Sequence, residues 1–341
     1  MRGGGTHPRD ATPPHGDDPA RMRDGAHAPF ESARCASPDA PPHTPPCPVD
    51  VARHRKFWTR HVAMLPGAYA GADDQRMTLA YFCVGGLDLL GQLDAITDEQ
   101  RHAYIDWVYA QQLAPSHGGG FRGAPVGDSP GHIAMTYTAI LLLAMLRDDF
   151  SRLSRHGIRR FVRALQQADG SFLSAQDAAE RDVRFSYCAC AVAYLMDDWS
   201  MLDTDAAVRY MLSCQHYEGA FAQQPHLESH GGSTYCCVAA LALAGRLHEL
   251  TRRPQLEAWL LARQVPGSGF QGRLEKPQDA CYSFWCGASA QILGCHAFID
   301  AASDVRWLLA AQSPLGGIAK VPGERPDVLH SYLSWLLCLP R

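Results

Sequence analysis

The 341-residue chain lacks any uncharged apolar run of about 18 residues, the length a membrane helix needs, and its N-terminus lacks the apolar core of a signal peptide. No membrane span and a cytoplasmic location are the expectations. It also lacks a basic excess, since 31 Lys and Arg stand against 35 Asp and Glu for a net charge of -4. Phosphate backbones find no global surface to select, so nucleic acid is not an expected partner. The 12 cysteines lack the regular spacings of a disulfide framework. They read as reduced thiols, mostly small buried hydrophobes, with one or two available as metal ligands. Residues 1–50 are nearly without Leu, Ile or Val and hold 11 of the 23 prolines. Such a segment cannot bury enough to fold and reads as a disordered extension, with residues 51–341 forming the folded domain. Cys35, Cys47 and the histidines around them lack ligand spacing.

What the chain has is repetition, with a period of about 49 residues. A Gln precedes a Gly-containing step from Gln166 to Phe172 (QQADGSF), Gln215 to Phe221 (QHYEGAF), Gln264 to Phe270 (QVPGSGF) and Gln312 to Ile318 (QSPLGGI), and a looser copy ends at Phe121. After each comes a tyrosine heading an apolar run: Tyr137, Tyr187, Tyr235, Tyr282 and Tyr332. These runs are apolar nearly all round, whereas those before the Gln, such as LSRHGIRRFVRALQQ, alternate charged and apolar residues at helical spacing. Each repeat is predicted to be a helical hairpin with one buried and one half-exposed helix, and three further helical stretches extend the pattern upstream. The fold class is all-α, an open solenoid or a closed α/α toroid with inner and outer rings. The apolar inner helices favour closure. In a closed ring their N-termini share one rim, where free N–H groups and positive dipole ends favour anions.

Superposed on their tyrosines, the repeats bring titratable residues to that rim: His132, Glu180, Asp182, Arg184, His230, Asp279, Cys281, Asp327 and His330. Asp279, Cys281 and His330 offer a carboxylate, a thiolate and an imidazole, a three-ligand zinc set with one position open, and Asp327 can accept a hydrogen bond from the histidine. Singly, the three fit plainer roles as a helix cap, a buried hydrophobe and a rim histidine. Only the shared register joins them. Arg273 and Lys276 (GFQGRLEKP), Lys320 (GGIAKVPGERPD) and His230 (ESHGGST) are four donors that suit a diphosphate or, taken one by one, a solvated loop. Phe82, Tyr137 and Trp285 line an apolar funnel inside the ring or simply pack its core.

SGFQGRLEKPQDACYSFW, HLESHGGSTYC, DSPGHIAMTY and AKVPGERPDVLHSY resemble, in order and spacing, the β subunits of the protein prenyltransferases, most closely the type I geranylgeranyl branch, from about residue 53 onward. The resemblance implies an α/α toroid in an obligate heterodimer with a helical-repeat α subunit. It implies transfer of geranylgeranyl from geranylgeranyl diphosphate to the cysteine of C-terminal CaaX motifs, X usually Leu, on proteins such as small GTPases, through a zinc-bound thiolate. By position it makes Asp279, Cys281 and His330 the ligands of one zinc, and His230, Arg273, Lys276 and Tyr282 contacts to the diphosphate. Lys320 stands where farnesyl enzymes carry an aspartate that helps hold magnesium, so its ammonium is expected to neutralise the leaving group with no magnesium required. Thr78 stands where those enzymes close the funnel with tryptophan, leaving room for one more isoprene unit, and Phe82 and Trp285 line the funnel. His132, Glu180 and Arg184 match positions near the peptide's terminal carboxylate; Thr78, His132, Ala134 and Phe185 match the pocket for its last side chain. Farnesyl and Rab-directed enzymes are the alternatives within the family. Outside it stand a terpenoid cyclase, whose DDxxD-type and aspartate-rich motifs are not found, and a non-catalytic helical-repeat module. The resemblance also makes the domain short at its C-terminus, since the chain stops at CLPR, nine residues after Tyr332.

Overall fold

The computed structural model describes residues 49–125 and 127–338, which are mostly helical. The expectation for residues 1–50 lies outside that range except at Val49 and Asp50. Helices pair in chain order as α1 (Val51–Ala63) with α2 (Arg76–Leu89), α3 (Asp98–Tyr109) with α4 (Ile133–Met145), α5 (Arg155–Leu165) with α6 (Val183–Leu195), α7 (Thr204–Ser213) with α8 (Gly231–Leu243), α9 (Arg253–Leu261) with α10 (Ala280–Leu293), and α11 (Ala301–Ala310) with α12 (Val328–Cys338). The second helix of each pair is the buried one. Uncharged α4 (IAMTYTAILLLAM) is covered nearly all round, whereas α5 (RHGIRRFVRAL) buries Ile158, Phe161, Val162 and Leu165 along one stripe. Each even-numbered helix packs between its two even-numbered neighbours, and α12 returns onto α2, so six inner helices close a ring with the others outside. The Tyr81 and Tyr332 hydroxyls meet across that seam at 2.7 Å. Closure falls within the described residues because α12 is itself the sixth inner helix.

The Gln-to-aromatic signature is the joint between repeats. Gln166, Gln215, Gln264 and Gln312 face Phe172, Phe221, Phe270 and Ile318 across single antiparallel bridges. Each bridge turns the chain from outer to inner helix and sinks the apolar side chain into the core. The Gln amide then reaches forward. Gln166 and Gln264 accept from the N–H of Asp203 (2.7 Å) and Asp300 (2.9 Å), the caps of α7 and α11. Gln312 makes the corresponding reach across the seam to the His54 ring of α1 at 2.9 Å.

Glycine in the signature lets the turn lie against the next outer helix. Gly170 has φ +88°, and a Cβ there would lie 2.0 Å from the Ala206 carbonyl oxygen. At the seam, Gly316 has φ +86°, and its Cβ would lie 2.2 Å from the Arg53 carbonyl oxygen. Gly316→Ala is expected to destabilise the domain by roughly 2–5 kcal/mol, about 1–2 from left-handed backbone and about 1–3 from overpacking. Thermal denaturation checks it; an unchanged melting temperature would mean that the seam yields freely.

Candidate metal and diphosphate site

Five of the six inner helices, all but α2, begin with a side chain turned back on their own first turn. His132, Asp182, His230 and Asp279 accept from the N–H two residues on at 3.1, 2.9, 3.1 and 3.0 Å, and Asp327 accepts from His330 N–H at 2.9 Å. The N–H directly after each cap is donated to the following repeat: Ile133 to the Ser174 carbonyl (2.9 Å), Val183 to Gln223 (3.2 Å), Gly231 to Gly272 (2.9 Å) and Ala280 to Lys320 (2.9 Å). At the seam, Val328 donates to the Tyr69 hydroxyl at 3.1 Å. The expectation that this rim presents free N–H groups to an anion is therefore corrected at these positions, because each repeat covers the helix end of its neighbour. An anion there must be held mainly by side chains. The register is corrected too. Five residues beyond each cap lie Tyr137, Tyr187, Tyr235, Phe284 and Tyr332, so Phe284, not Tyr282, is the fifth sister. Its ring stands 5.0 Å from that of Tyr235, continuing the contacts of 5.6 Å from Tyr137 to Tyr187 and from Tyr187 to Tyr235.

Freed from that register, Tyr282 lies one residue past Cys281. Its hydroxyl is 2.9 Å from His230 Nε2. His230 Nδ1 accepts from Gly232 and Ser233 N–H, so the ring is neutral with its proton on Nε2, and it donates to the Tyr282 oxygen. Burial, then the nearby Arg273, pushes its pKa down in agreement. The Tyr282 proton is left to point elsewhere. Its ring is wedged against Gly272, where a Cβ would come within 2.0 Å.

The metal-competent group is Asp279, Cys281 and His330, with one ligand atom from each, all within 4.8 Å of one another. Asp279 Oδ1 lies 3.1 Å from His330 Nε2, and Asp327 Oδ2 lies 2.6 Å from His330 Nδ1. The Asp327 contact assigns the Nδ1 proton and turns Nε2 toward Asp279 and Cys281, as for a ligand histidine. Burial pulls the His330 pKa down, but the bonds to Asp279 and Asp327 more than offset this and raise it to about 9. Burial opposes ionisation of Asp279, yet bonds from His330 and Cys281 hold its carboxyl below the usual range. Burial and then the Asp279 charge push the Cys281 thiol well up. One carboxylate, one buried sulfur and one oriented imidazole fit a cation of zinc type, which needs tetrahedral N, O and S donors.

Beside this group, Lys320 Nζ is 3.8 Å from Asp279 Oδ2, placed there by the turn between strands β1 (Ile318–Ala319) and β2 (Pro326–Asp327). Arg273 contacts Glu228 at 3.0 Å, and Lys276 is exposed in the same loop. The chain has only three lysines, Lys56, Lys276 and Lys320, and the two latter lie in adjacent rim loops. That scarcity was a legible signal. Thr78 Oγ1 contacts Met135 Sδ at 3.4 Å, while Phe82 packs on Tyr332 and Trp285 on Tyr235 at 5.3 and 5.0 Å between rings. Thr78, Ala134, Phe82 and Trp285 are half-buried.

Farther round the rim, Phe185 meets the His132 ring at 5.8 Å and the Arg184 guanidinium at 5.2 Å. Arg184 is committed to Glu180 (2.6 Å) and buried Asp182 (2.7 Å), with Asp182 fixed by Gln223 at 2.9 Å. Tyr69, which seats α12 and thus His330, carries no sequence signal because its partner is a backbone group across the seam. The 620 Å³ cavity bounded by α1, α2 and α3 is lined by none of the residues of the metal-competent group.

A closed ring of helical hairpins with this rim defines an α/α toroid, and residues 49–339 match the prenyltransferase alpha-alpha toroid domain. The chain belongs to that family. It is similar to the geranylgeranyl transferase type-1 subunit beta of Dictyostelium discoideum, 37% identical over 316 residues that cover 84% of this chain and 89% of the relative. It is also similar to the protein farnesyltransferase subunit beta of Schizosaccharomyces pombe, 32% identical over 83% of this chain and 75% of the relative. Among solved structures, Candida albicans protein geranylgeranyltransferase-I complexed with GGPP superposes with a TM-score of 0.79 at 25% identity, covering 85% of this chain and 90% of that one.

Proposed function

We propose that the chain is the catalytic β subunit of a heterodimeric protein geranylgeranyltransferase type I, working in the cytosol with an α subunit. Its substrates are geranylgeranyl diphosphate and proteins ending in a CaaX motif. The carrying observation is the meeting of Asp279, Cys281 and His330 with Lys320 at one rim. Support also comes from the relatives named geranylgeranyl transferase type-1. Nine cysteines, from Cys83 to Cys295, are free, which suits a reducing compartment. No helix among the described residues is long and apolar enough to cross a membrane.

Asp279, Cys281 and His330 would hold a zinc ion, which when bound supplies a Lewis acid that keeps a substrate thiol ionised at neutral pH. The thiolate sulfur bonds to C1 of the isoprenoid while the C1–O bond breaks, and the electron pair leaves with the diphosphate. Lys276, Lys320, Arg273 and the outward Tyr282 hydroxyl proton converge on the leaving oxygens. His230 serves by fixing Tyr282 rather than by direct contact. Thr78, Phe82 and Trp285 accept the isoprenoid, and His132, Ala134, Glu180, Arg184 and Phe185 border the peptide's end. Arg184, held by two carboxylates, orients Glu180 and Phe185 more than it attracts an anion.

Co-expression with an α subunit, followed by assay of geranylgeranyl against farnesyl diphosphate on peptides ending in Leu or Met, tests this. Preferred geranylgeranyl transfer to Leu peptides without magnesium is expected. A farnesyl preference or magnesium dependence would assign the chain to the farnesyl branch, and absence of stoichiometric zinc would favour a non-catalytic module or a cyclase.

A further inference from the structure

Behind the rim, on the outward side of α10, sits an acid that the reaction as described does not use. Asp304 of α11 is 5% exposed and accepts a 2.7 Å hydrogen bond from the Ser283 hydroxyl. Burial pushes its carboxyl up to about 6, with the Ser283 bond pulling back. On the other flank, Arg263, just after α9, is 4% exposed, lies 4.6 Å over the Trp259 ring and has an Nη1 without a hydrogen-bond partner. Both charges bear on the Cys286 thiol, three residues along α10 from Ser283. The contact that joins this outer shell to α10 is the Ser283–Asp304 hydrogen bond, on the side of the helix away from its rim residues.

Resting on the reading of Asp279, Cys281 and His330 as a zinc site, we propose that Asp304 is a positioning residue: through Ser283 it fixes the roll of α10 and so the placement of Cys281 and Tyr282. Ser283 is two residues from Cys281, about 200° round the helix, so a roll that moves one moves the other in the opposite sense. With side chains about 5–6 Å from the axis, a 10° roll displaces the Cys281 sulfur by about 1 Å. A misplacement of about 1 Å costs on the order of 100-fold in reactions that depend on orientation. At the front, Tyr282 is wedged on Gly272 and Ala280 is tied to Lys320. The Ser283–Asp304 bond is the matching tie at the back.

The test uses the full chain with its α subunit. Asp304→Ala is expected to weaken zinc, measured by chelator competition, by about 10- to 100-fold, as loss of a residue that orients a ligand does. Asp304→Asn keeps an oxygen for Ser283 and is expected to stay near wild type, while Ser283→Ala should follow Asp304→Ala. In metal-free protein, alkylation read by mass spectrometry should rise at Cys281 in Asp304→Ala and stay unchanged at Cys237, which is buried in the core. Wild-type zinc affinity together with unchanged Cys281 alkylation in Asp304→Ala overturns the proposal. So does a parallel rise at Cys281 and Cys237, which would show general loosening. A wild type without zinc overturns the reading of the site, and the ratio of the two alkylation rates then still decides the role of Asp304.

Discussion

Cys281→Ala is expected to lose stoichiometric zinc and to slow thioether formation by about three orders of magnitude, while geranylgeranyl diphosphate binds as before. The size follows from two losses. A free thiol near its usual pKa is only a few per cent ionised at neutral pH, so losing the cation's hold on the substrate sulfur costs about 30-fold. Losing its fixed position opposite C1 costs roughly another 100-fold. The proposed diphosphate contacts should survive because Arg273, Lys276 and Lys320 sit in loops that do not need the sulfur, and Tyr282 is held by His230 and Gly272.

The fold should survive as well. Cys281 is 8% exposed, and neither the seam bonds of Gln312 with His54 nor that of Val328 with Tyr69 involves it. Metal analysis of the purified heterodimer, isoprenoid binding and single-turnover transfer check the prediction together. Unchanged zinc in the variant would remove Cys281 from the ligand set. Lost isoprenoid binding with retained zinc would move it to the funnel.

The ring was legible because its joints recur. Gln166, Gln215, Gln264 and Gln312 do one mechanical task, with glycines such as Gly170 and Gly316 tucked under the next helix, and a task done four times leaves a period in the sequence. The meeting of Asp279, Cys281 and His330 was legible for the same reason, since they follow the Gln joints of adjacent repeats. Tyr282 misled because it imitates the repeated tyrosine two positions early. The constant spacing from the buried Phe221, Phe270 and Ile318 to Tyr235, Phe284 and Tyr332 identifies the true sister. Consumption of the N–H directly after each cap left no trace, because four of its five acceptors are backbone carbonyls, which any residue type supplies. Asp304 stayed hidden because an acid on an amphipathic outer helix reads as a solvated one until its burial is seen.

Lys320→Asp is expected to reduce transfer without magnesium by about 10- to 1,000-fold and to make the remaining activity rise with added magnesium. Unit charges about 4 Å apart interact by about 1 kcal/mol in water and about 4 kcal/mol at an effective dielectric near 20. The Lys320 side chain is 54% exposed, so its interaction with a departing diphosphate falls between those limits. That range corresponds to about one to three decades in rate, at about 1.36 kcal/mol per decade. The new carboxylate would stand beside Asp279, where the ammonium now lies 3.8 Å from Oδ2. Two acids so close to the diphosphate oxygens form a hard oxygen site that suits a hydrated magnesium ion, which would return the missing positive charge. Lys320→Ala separates the two effects, because it loses the ammonium without gaining a ligand and should stay slow at any magnesium concentration. Rates measured across a magnesium series for the three proteins decide it. If both variants match wild type without magnesium, Lys320 does not neutralise the leaving group, and that role passes to Arg273 and Lys276.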